Sequence, residues 1–407
     1  MKIADIQDIK EVSYIFIVNN KIKKKEFKTI ENIKSKTLVL MLKDSRFDLN
    51  NKLHLNNQNI IVRKFSWTIF KKKHYYRYLS GFDSKNILEN FLSKQFIKNR
   101  NITNFIKNLY QDKKIENAFK KQTLNNLKIK FEIKRIVEKI QELNPEISLL
   151  NTNIIDENYS DKSVIYYLST FSNKLKNLFY FIFYPLYVIL ILMFHSKSKS
   201  NCPIALRIYS NSLRIDDYDY NLDWIKKKNI IPEKKILMVI EDSIDKFFLD
   251  SLKKSPYEFT YSSKRRPLGN FNLKIIIETF NLFLISFLKI LHFFKAPVFY
   301  QNILLNAWMN YFVWNNFLSS FSPKVYLSYH DYLDNHIYRN IMLKKKDCKS
   351  ITYKHTNSEN LFESGEKYFK TEFAYNCFDL EVHWSPESME MSKACYSQAK
   401  DFLLYSA

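Results

Sequence analysis

The sequence predicts an α/β fold with a mostly parallel sheet and helices on both of its faces. From about Pro203 to Leu403, short apolar segments rich in β-branched and aromatic residues alternate with helical patterns. The chain has 407 residues, of which 46% are hydrophobic, so it is long and apolar enough to bury a sizeable core.

Each predicted strand is a short apolar run between polar connections. A lysine-rich region with a helical pattern extends from about residue 84 to 143, and its last helix, from about Leu124 to Leu143, is followed by Asn144-Pro145. A second helix, from about Leu333 to Lys345, connects the last two strands of this series. The predicted strands are Tyr14–Val18, Thr37–Leu42, Asn59–Phe65, Glu146–Leu150, Pro203–Tyr209, Lys235–Glu241, Tyr257–Tyr261, Val325–Tyr329 and Ser350–Lys354.

The formal net charge is +23, and the basic excess lies before Asp331. A basic protein of this kind suits nucleic acid, an anionic membrane surface or anionic substrates. Most aromatic residues, however, lie in apolar runs rather than between cationic residues, and no zinc-finger, RNA-recognition or KH signature is present. We therefore expect an anionic membrane surface as a partner and no specific nucleic acid.

Three apolar segments indicate contact with a membrane. Leu178–Phe194 is an uninterrupted apolar run at the lower limit of a bilayer span, and Pro185 within it is expected to kink a helix. Leu273–Phe294 carries the polar residues Glu278, Asn281 and Lys289, among others, which is typical of an amphipathic helix at the interface. Asn302–Phe321 continues as an aromatic-rich helical stretch. Association with the membrane surface is favoured, while a true span and a buried core remain alternatives.

Several kinds of site are excluded by missing motifs. With 3 glycines the chain has neither GxxxxGK[ST] nor GxGxxG, and it lacks HExxH, GxSxG and the protein-kinase motifs, so we expect a metal-independent protein. Its 4 cysteines are far apart, and the first residues lack the apolar core of a signal peptide. A reducing, cytoplasmic location is expected, peripheral or monotopic at the inner face of the cell membrane.

Polar side chains gather where two successive predicted strands end. His330, Asp331 and Asp334 follow Val325–Tyr329, and His355 with Thr356 follows the strand that ends at Lys354. Ligands of parallel sheets bind outside the carboxyl ends of the strands, so these residues indicate one cleft. The alternative is that they are ordinary loop and capping residues.

The segments SYHDYLDNHIYRN and SITYKHT, followed by FAYNCFDLEVHWSPESMEMSKACYSQAKDFLLYSA, carry a family resemblance. They resemble GT-B-type proteins of bacterial surface-polysaccharide biosynthesis, in which an acidic loop, a helix, a strand ending in a His motif and an aspartate–aromatic strand follow one another. The resemblance covers roughly residues 203 to 407. His355-Thr356 stands where the family commonly has His-Gly.

The resemblance implies a Rossmann-like sheet of GT-B type with helical insertions that contact the membrane. It also implies a glycosyltransferase that takes a nucleotide-sugar as donor, uses no other cofactor and acts on a lipid-linked or glycan acceptor. An inverting transfer needs a general base for the acceptor hydroxyl, and the candidates are Asp331, Asp334 and His355. His330, Arg339, Lys354 and Thr356 are candidates for substrate binding, with Arg339 or Lys354 offsetting charge on the phosphate leaving group. Alternatively, Asp331 and Asp334 cap the next helix and Arg339 lies on a solvated face.

The expected organisation has four parts. Residues 1–150 form a basic α/β region, 151–200 an apolar membrane-associated segment, and 201–390 a Rossmann-like acceptor-side domain with long apolar helices over 271–321. Residues 391–407 begin a second domain, and we expect the donor-binding part to be missing from this sequence. The alternatives in function are transfer of a polyol phosphate from a CDP-linked donor and a non-catalytic membrane-associated scaffold.

Overall fold

A computed structural model describes the chain in segments that divide into two compact units. One unit comprises Met1–Asn86 with Asn125–Ser163, and the other comprises Ile87–Leu124 with Val164–Ala407. The described residues are 13–18, 37–41, 60–64, 90, 92–125, 148–149, 164–194, 201–208, 235–241, 246–254, 257–329, 334–354 and 373–404.

The first unit contains a four-stranded sheet. Its strands are β1 (Tyr14–Val18), β2 (Thr37–Met41), β3 (Ile60–Lys64) and β4 (Ser148–Leu149). They lie in the order β3-β2-β1-β4, and every neighbouring pair is parallel. The four strands predicted for this region are confirmed. Most of the predicted helix Leu124–Leu143 lies outside the described residues.

The larger unit holds an eight-stranded sheet and most of the described helices. Helical residues 92–98 lead into the first helix of the unit. In chain order the elements are α1 (Arg100–Tyr110), α2 (115–125), α3 (Val164–Phe194), β5 (Ile204–Ile208), β6 (Ile236–Ile240), α4 (Lys246–Lys254), β7 (Glu258–Ser263), β8 (Arg266–Pro267), α5 (Leu273–Leu288), α6 (Ile290–Lys295), α7 (Val298–Ser320), β9 (Val325–Tyr329), α8 (Asn335–Lys344), β10 (Lys349–Lys354), β11 (Leu380–His383), α9 (Pro386–Ala394) and β12 (Asp401–Leu404).

The strand order of this sheet reverses once. The order is β12-β11-β10-β9-β5-β6-β7-β8, and all neighbours are parallel except β7 and β8. From β5 the chain therefore builds outward in one direction through β6 and β7, and from β9 in the other. The predicted α/β fold with a mostly parallel sheet is confirmed, and the topology is compatible with a Rossmann-like fold. Such sheets bind ligands at the reversal point, outside the carboxyl ends of the strands, here β5 and β9.

The two faces of this sheet bury different kinds of side chain. Residues of parallel strands that are paired in register share a face, and alternate residues lie on opposite faces. One face, called here the apolar face, packs Leu206, Met238 and Ile240 against Leu252 of α4. The other, called the polar face, contacts α7 and α8. The apolar residues of this face lie mainly in β5 and β6. Its buried polar residues are Arg207, Thr260, Ser262, Tyr326, Ser328, Ser350, Thr352, Lys354, Glu381 and His383.

Helix α3 runs through Pro185 as a single helix. Proline has no N–H to donate to the carbonyl four residues earlier, which is that of Phe181. The indole Nε1 of Trp308, in α7, donates to this carbonyl at 2.9 Å. The Phe181 ring also stacks on Phe293 with centroids 4.3 Å apart. Packing with other helices therefore compensates the hydrogen bond that Pro185 removes.

Helices α3 and α5 pack against each other, and each has both a buried and an exposed apolar stripe. Within the described residues one helix, Phe171–Phe194, is long and apolar enough to cross a membrane, and 44% of its most apolar window is buried in the protein. The exposed apolar surface comprises Phe171, Leu175, Phe179, Tyr180, Phe183, Tyr187, Leu190, Met193 and Phe194 of α3, and Phe271, Leu273, Ile277, Phe280, Leu284, Phe287, Leu288 and Leu291 of α5, α6 and the residues beside them.

Candidate functional site

A buried ion-pair network lies beside the point where the strand order reverses. Glu241, the residue after β6, forms ion pairs with Arg207 of β5 at 3.2 Å and with Arg339 of α8 at 2.7 Å. Tyr326 of β9 donates its hydroxyl to the same carboxylate at 2.6 Å. We call these four residues the Glu241 network. It joins β5, β6, β9 and α8 through one carboxylate.

The Glu241 network carries two arginines for one carboxylate, so its formal charge is positive. The guanidinium of Arg339 lies over the rings of Tyr326 and Trp314, at 4.4 and 5.8 Å from their centroids. Burial, reinforced by the negative charge of Glu241, raises the pKa of Tyr326 well above its ordinary value. Tyr326 is therefore a neutral hydrogen-bond donor at physiological pH, and the network fixes α8 on the sheet.

A second set of polar residues surrounds Asp334, at the start of α8. Asn306 of α7 donates to the Asp334 carboxylate at 2.7 Å and accepts a short hydrogen bond from Lys264 Nζ. The side-chain amide of Asn306 also donates to Gln122 of α2 at 3.2 Å. Lys121 of α2 contributes positive charge near Asp334 while donating to the carbonyl of Ala374 and the side chain of Asn376. Asp334, Asn306, Lys264, Lys121 and Gln122 are called the Asp334 cluster.

The pKa of the Asp334 carboxyl group is subject to opposing influences. Burial raises the pKa of Asp334 above its ordinary value, while Lys264, Lys121 and the hydrogen bond from Asn306 act in the opposite direction. As a whole residue Asp334 is partly exposed. Its position is the N-cap of α8, but its side chain makes no capping hydrogen bond. The capping alternative is therefore wrong for Asp334, whose carboxylate faces Asn306 instead.

A third network occupies the carboxyl end of β11. The Glu381 carboxylate accepts from Ser392 at 2.5 Å and from Ser397 at 2.9 Å, and lies 3.2 Å from His383 Nε2. The other ring nitrogen of His383 lies 3.0 Å from Ser388 Oγ. Glu381 and His383 are fully buried. These residues are called the Glu381 network, which ties β11 to α9.

Lys354, the last residue of β10, adds a cation to the Glu381 network. Burial alone would raise the pKa of Glu381, but the charge of Lys354 and the hydrogen bonds from His383 and Ser392 outweigh it and hold the pKa at about 2. The Lys354 ammonium lies 5.5 and 5.4 Å from the ring centroids of Phe373 and Phe378. Glu381 is therefore a permanent anion that balances a buried lysine.

The structure describes three of the seven residues predicted for the site. His330, Asp331, His355 and Thr356 lie outside the described residues. Asp334 belongs to the Asp334 cluster, Arg339 to the Glu241 network, and Lys354 lies beside the Glu381 network. The alternative that Arg339 lies on a solvated face is wrong, because its side chain is fully buried.

Other residues of these networks were not predicted, although the sequence contains signals for some of them. Glu241 is an acidic residue directly after the wholly apolar strand ILMVI. Asn306 and Asn310 are spaced by four residues in helix α7, and the Asn310 side chain donates to both the carbonyl and the side chain of Asn306. Lys264 belongs to the run Lys-Arg-Arg between β7 and β8. In each case the sequence shows an unusual residue, but only the tertiary contact shows that the residue belongs to one of these networks.

The chemistry available at the Asp334 cluster is proton transfer next to fixed positive charge. A carboxylate with a raised pKa can take a proton from a hydroxyl, and nearby ammonium groups can stabilise an anion that develops on the substrate. Among the described residues, no group of three or more His, Cys, Asp or Glu side chains could hold a metal ion. Comparison with protein-family models, with curated proteins and with solved structures finds no match for this chain.

Proposed function

We propose that this protein is a glycosyltransferase of surface-polysaccharide synthesis that acts at the cytoplasmic face of the membrane. It transfers a sugar from a nucleotide-sugar to a lipid-linked acceptor. The observation that carries the proposal is the position of Asp334. Its carboxylate shares Asn306 with Lys264, and the turn that carries Lys264 is hydrogen-bonded to the apolar helix α3.

In this proposal Asp334 is the general base. It removes the proton of the acceptor hydroxyl as the acceptor oxygen bonds to the anomeric carbon. The bond from that carbon to the nucleotide diphosphate breaks at the same time, and its electron pair leaves with the diphosphate. A base works best when its pKa lies near the working pH, and burial moves the pKa of Asp334 upward, in that direction. Lys264 offsets the negative charge that collects on the reacting groups.

The topology of the larger unit supports a ligand site at this position. Asp334 follows β9, one of the two strands at which the strand order reverses. Open α/β sheets bind their ligands in the crevice at that point. The resemblance of the segments around residues 324–356 to GT-B-type proteins agrees with this placement. In addition to Asp334, the resemblance assigns roles to His355 and Asp331.

The exposed apolar surface supports a membrane location. Helices α3 and α5 expose large apolar side chains along stripes of several turns, and monomeric soluble proteins rarely expose large contiguous apolar patches. Interfacial helices of membrane proteins bury such stripes in the acyl region while cationic residues meet the lipid headgroups. An acceptor with a lipid tail would then approach the Asp334 cluster from the membrane side.

The proposal is tested with Asp334→Asn, which keeps the size and the contact with Asn306 but removes the base. Membranes containing the full-length protein are supplied with radiolabelled nucleotide-sugars, and transfer into the lipid fraction is measured. We expect transfer to fall by about 10²- to 10⁴-fold. The matched control is Asp250→Asn, a change of an exposed carboxylate on α4, and it should leave transfer unchanged. Unchanged transfer in Asp334→Asn would refute the assignment, and no transfer by the unmodified protein with any donor would favour a scaffold.

A further inference from the structure

Three consecutive cations, Lys264, Arg265 and Arg266, occupy the turn between β7 and β8 and the first position of β8. Ser262 pairs with Pro267 and Ser263 pairs with Arg266 in antiparallel register, so Lys264 and Arg265 form the turn itself. Lys264 is partly buried, whereas Arg265 and Arg266 are exposed. We call these three residues the cationic turn.

The cationic turn is held in place from two sides. Tyr184 and Tyr187 of α3 donate their hydroxyls to the carbonyls of Lys264 and Arg265, the first at 3.0 Å. On the other side, Asn316 of α7 donates to the carbonyl of Pro267 at 3.1 Å. Because both neighbouring helices fix its backbone, the turn presents its charges in a set position, which lowers the entropic cost of binding a ligand.

Glycine at position 269 makes the second of these contacts possible. A Cβ atom at Gly269 would lie 2.8 Å from the backbone oxygen of Asn316 and 2.9 Å from its Cβ, which is closer than van der Waals contact allows. The segment that follows β8 therefore lies directly against the backbone of α7.

The cations of the turn lie in two different environments. Lys264 extends inward to Asn306 of the Asp334 cluster. Arg266 lies over the ring of Tyr261, 4.8 Å from its centroid, which orients an exposed guanidinium. Arg265 is exposed, and its carbonyl is bonded to Tyr187, a residue of the exposed apolar surface. The cationic turn therefore connects Tyr187 of α3, bonded to its backbone, with Asn306 of the Asp334 cluster, bonded to the side chain of Lys264.

We infer that the cationic turn binds the phosphate or diphosphate of the lipid-linked acceptor. The lipid tail would lie along α3 and α5, the phosphate on Arg265 and Arg266, and the attached sugar toward Lys264 and Asp334. Guanidinium groups suit this task because their planar N–H donors match phosphate oxygens and they keep their charge. The inference rests on the proposed function and adds to it the part of the acceptor that the protein recognises.

The test compares three kinds of vesicle that bind the full-length protein in a sedimentation assay. The first is phosphatidylcholine alone, the second adds phosphatidylglycerol, and the third adds a polyprenyl phosphate at matched surface charge. We expect about tenfold tighter binding to the third than to the second, since each lipid phosphate held by arginine adds to the general attraction of basic residues for anionic lipid.

The variant Arg265→Gln/Arg266→Gln should lose this tenfold preference while keeping its binding to neutral vesicles. The matched control is Lys253→Gln/Lys254→Gln, which removes two exposed cations from α4 and should keep the preference. Equal binding of the unmodified protein to the two anionic vesicles would overturn the inference, because the turn would then respond to surface charge alone. A preference that survives in the arginine variant would also overturn it.

This assay separates the inference from the proposed function, since it measures binding without transfer. A protein that prefers polyprenyl phosphate but transfers no sugar retains the lipid-phosphate site, and the proposed reaction fails. A protein that transfers sugar without the preference retains the reaction, and the inference fails.

Discussion

The same strands of the eight-stranded sheet pack Leu206 and Met238 on one face and Arg207 and Glu241 on the other. All four residues are buried or nearly so, and yet only the first pair is stabilised by simple removal of apolar surface from water. The second pair requires geometry, because a buried ion pair offsets its desolvation only when the contacts are good. On the polar face, therefore, residue identity rather than size and hydrophobicity determines the structure.

The largest effect is expected when the polar face loses a charge without a change in shape. In Glu241→Gln, the buried Arg207 and Arg339 lose the negative charge of the carboxylate that both contact, and the free energy of unfolding should fall by about 3–5 kcal/mol. Urea denaturation followed by the fluorescence of the 5 tryptophans, which include the buried Trp308 and Trp314, measures this. The control is Glu390→Gln, in an exposed ion pair with Lys393, where the change should be within about 0.5 kcal/mol. A loss below about 1 kcal/mol in Glu241→Gln would remove the distinction between the faces.

A smaller effect is expected from pH, through Glu381 on the same face. Its pKa is about 2 in the folded protein against an ordinary 4.5, so the unfolded chain takes up a proton first as the pH falls. The stability that Glu381 contributes is complete above about pH 5 and is lost between about pH 5 and pH 2, on the order of 3 kcal/mol.

Denaturation at a series of pH values tests this, and in Glu381→Gln the free energy of unfolding should depend less on pH over that range.

The contribution of Asp334 to stability depends on pH in the opposite direction, because burial raises its folded pKa. Its contribution to stability is complete below its ordinary pKa of 3.8 and is lost as the pH rises from that value through its higher folded pKa. A steeper acid-induced loss in Asp334→Asn is therefore expected, and an unchanged slope in both variants would contradict these assignments.

The smallest effect is expected on the apolar face. Met238→Leu preserves volume and hydrophobicity, so the free energy of unfolding should change by less than about 1.5 kcal/mol. This isosteric change is the counterpart of Glu241→Gln on the opposite face, and both are measured in the same denaturation experiment. If Met238→Leu is as destabilising as Glu241→Gln, packing rather than charge dominates on both faces.

The sequence was sufficient to predict β1 to β7, β9 and β10, because each is a mostly apolar run between polar segments. The two-residue strand β8 was not predicted. It also placed Asp334 at a strand end, where the structure finds it beside Lys264 and Asn306. The partners themselves could not be predicted, since Asn306 is 28 residues from Asp334 and Lys264 is 42 residues from Asn306. Only the packing of α7 against α8 and the β7–β8 turn brings them together.

The same reason explains why Arg339 was expected to bind substrate. Its place in a helix after a strand end is correct, but the carboxylate that it contacts lies 98 residues away in the chain. Periodicity indicates that a residue belongs to a helix, whereas the partner of a buried charge follows from the order of the strands. That order, with β6 next to β5 and β5 next to β9, is a tertiary property.

The hydrogen bond from Trp308 to the carbonyl of Phe181 couples substitutions at two distant positions, 185 and 308. Proline at position 185 leaves that carbonyl without its helical donor, and the indole supplies one. Loss of the indole alone would be harmful while the proline is present and milder after the proline is gone. Positions 185 and 308 are therefore epistatic, and we expect descendants of this chain to change them together or in a fixed order.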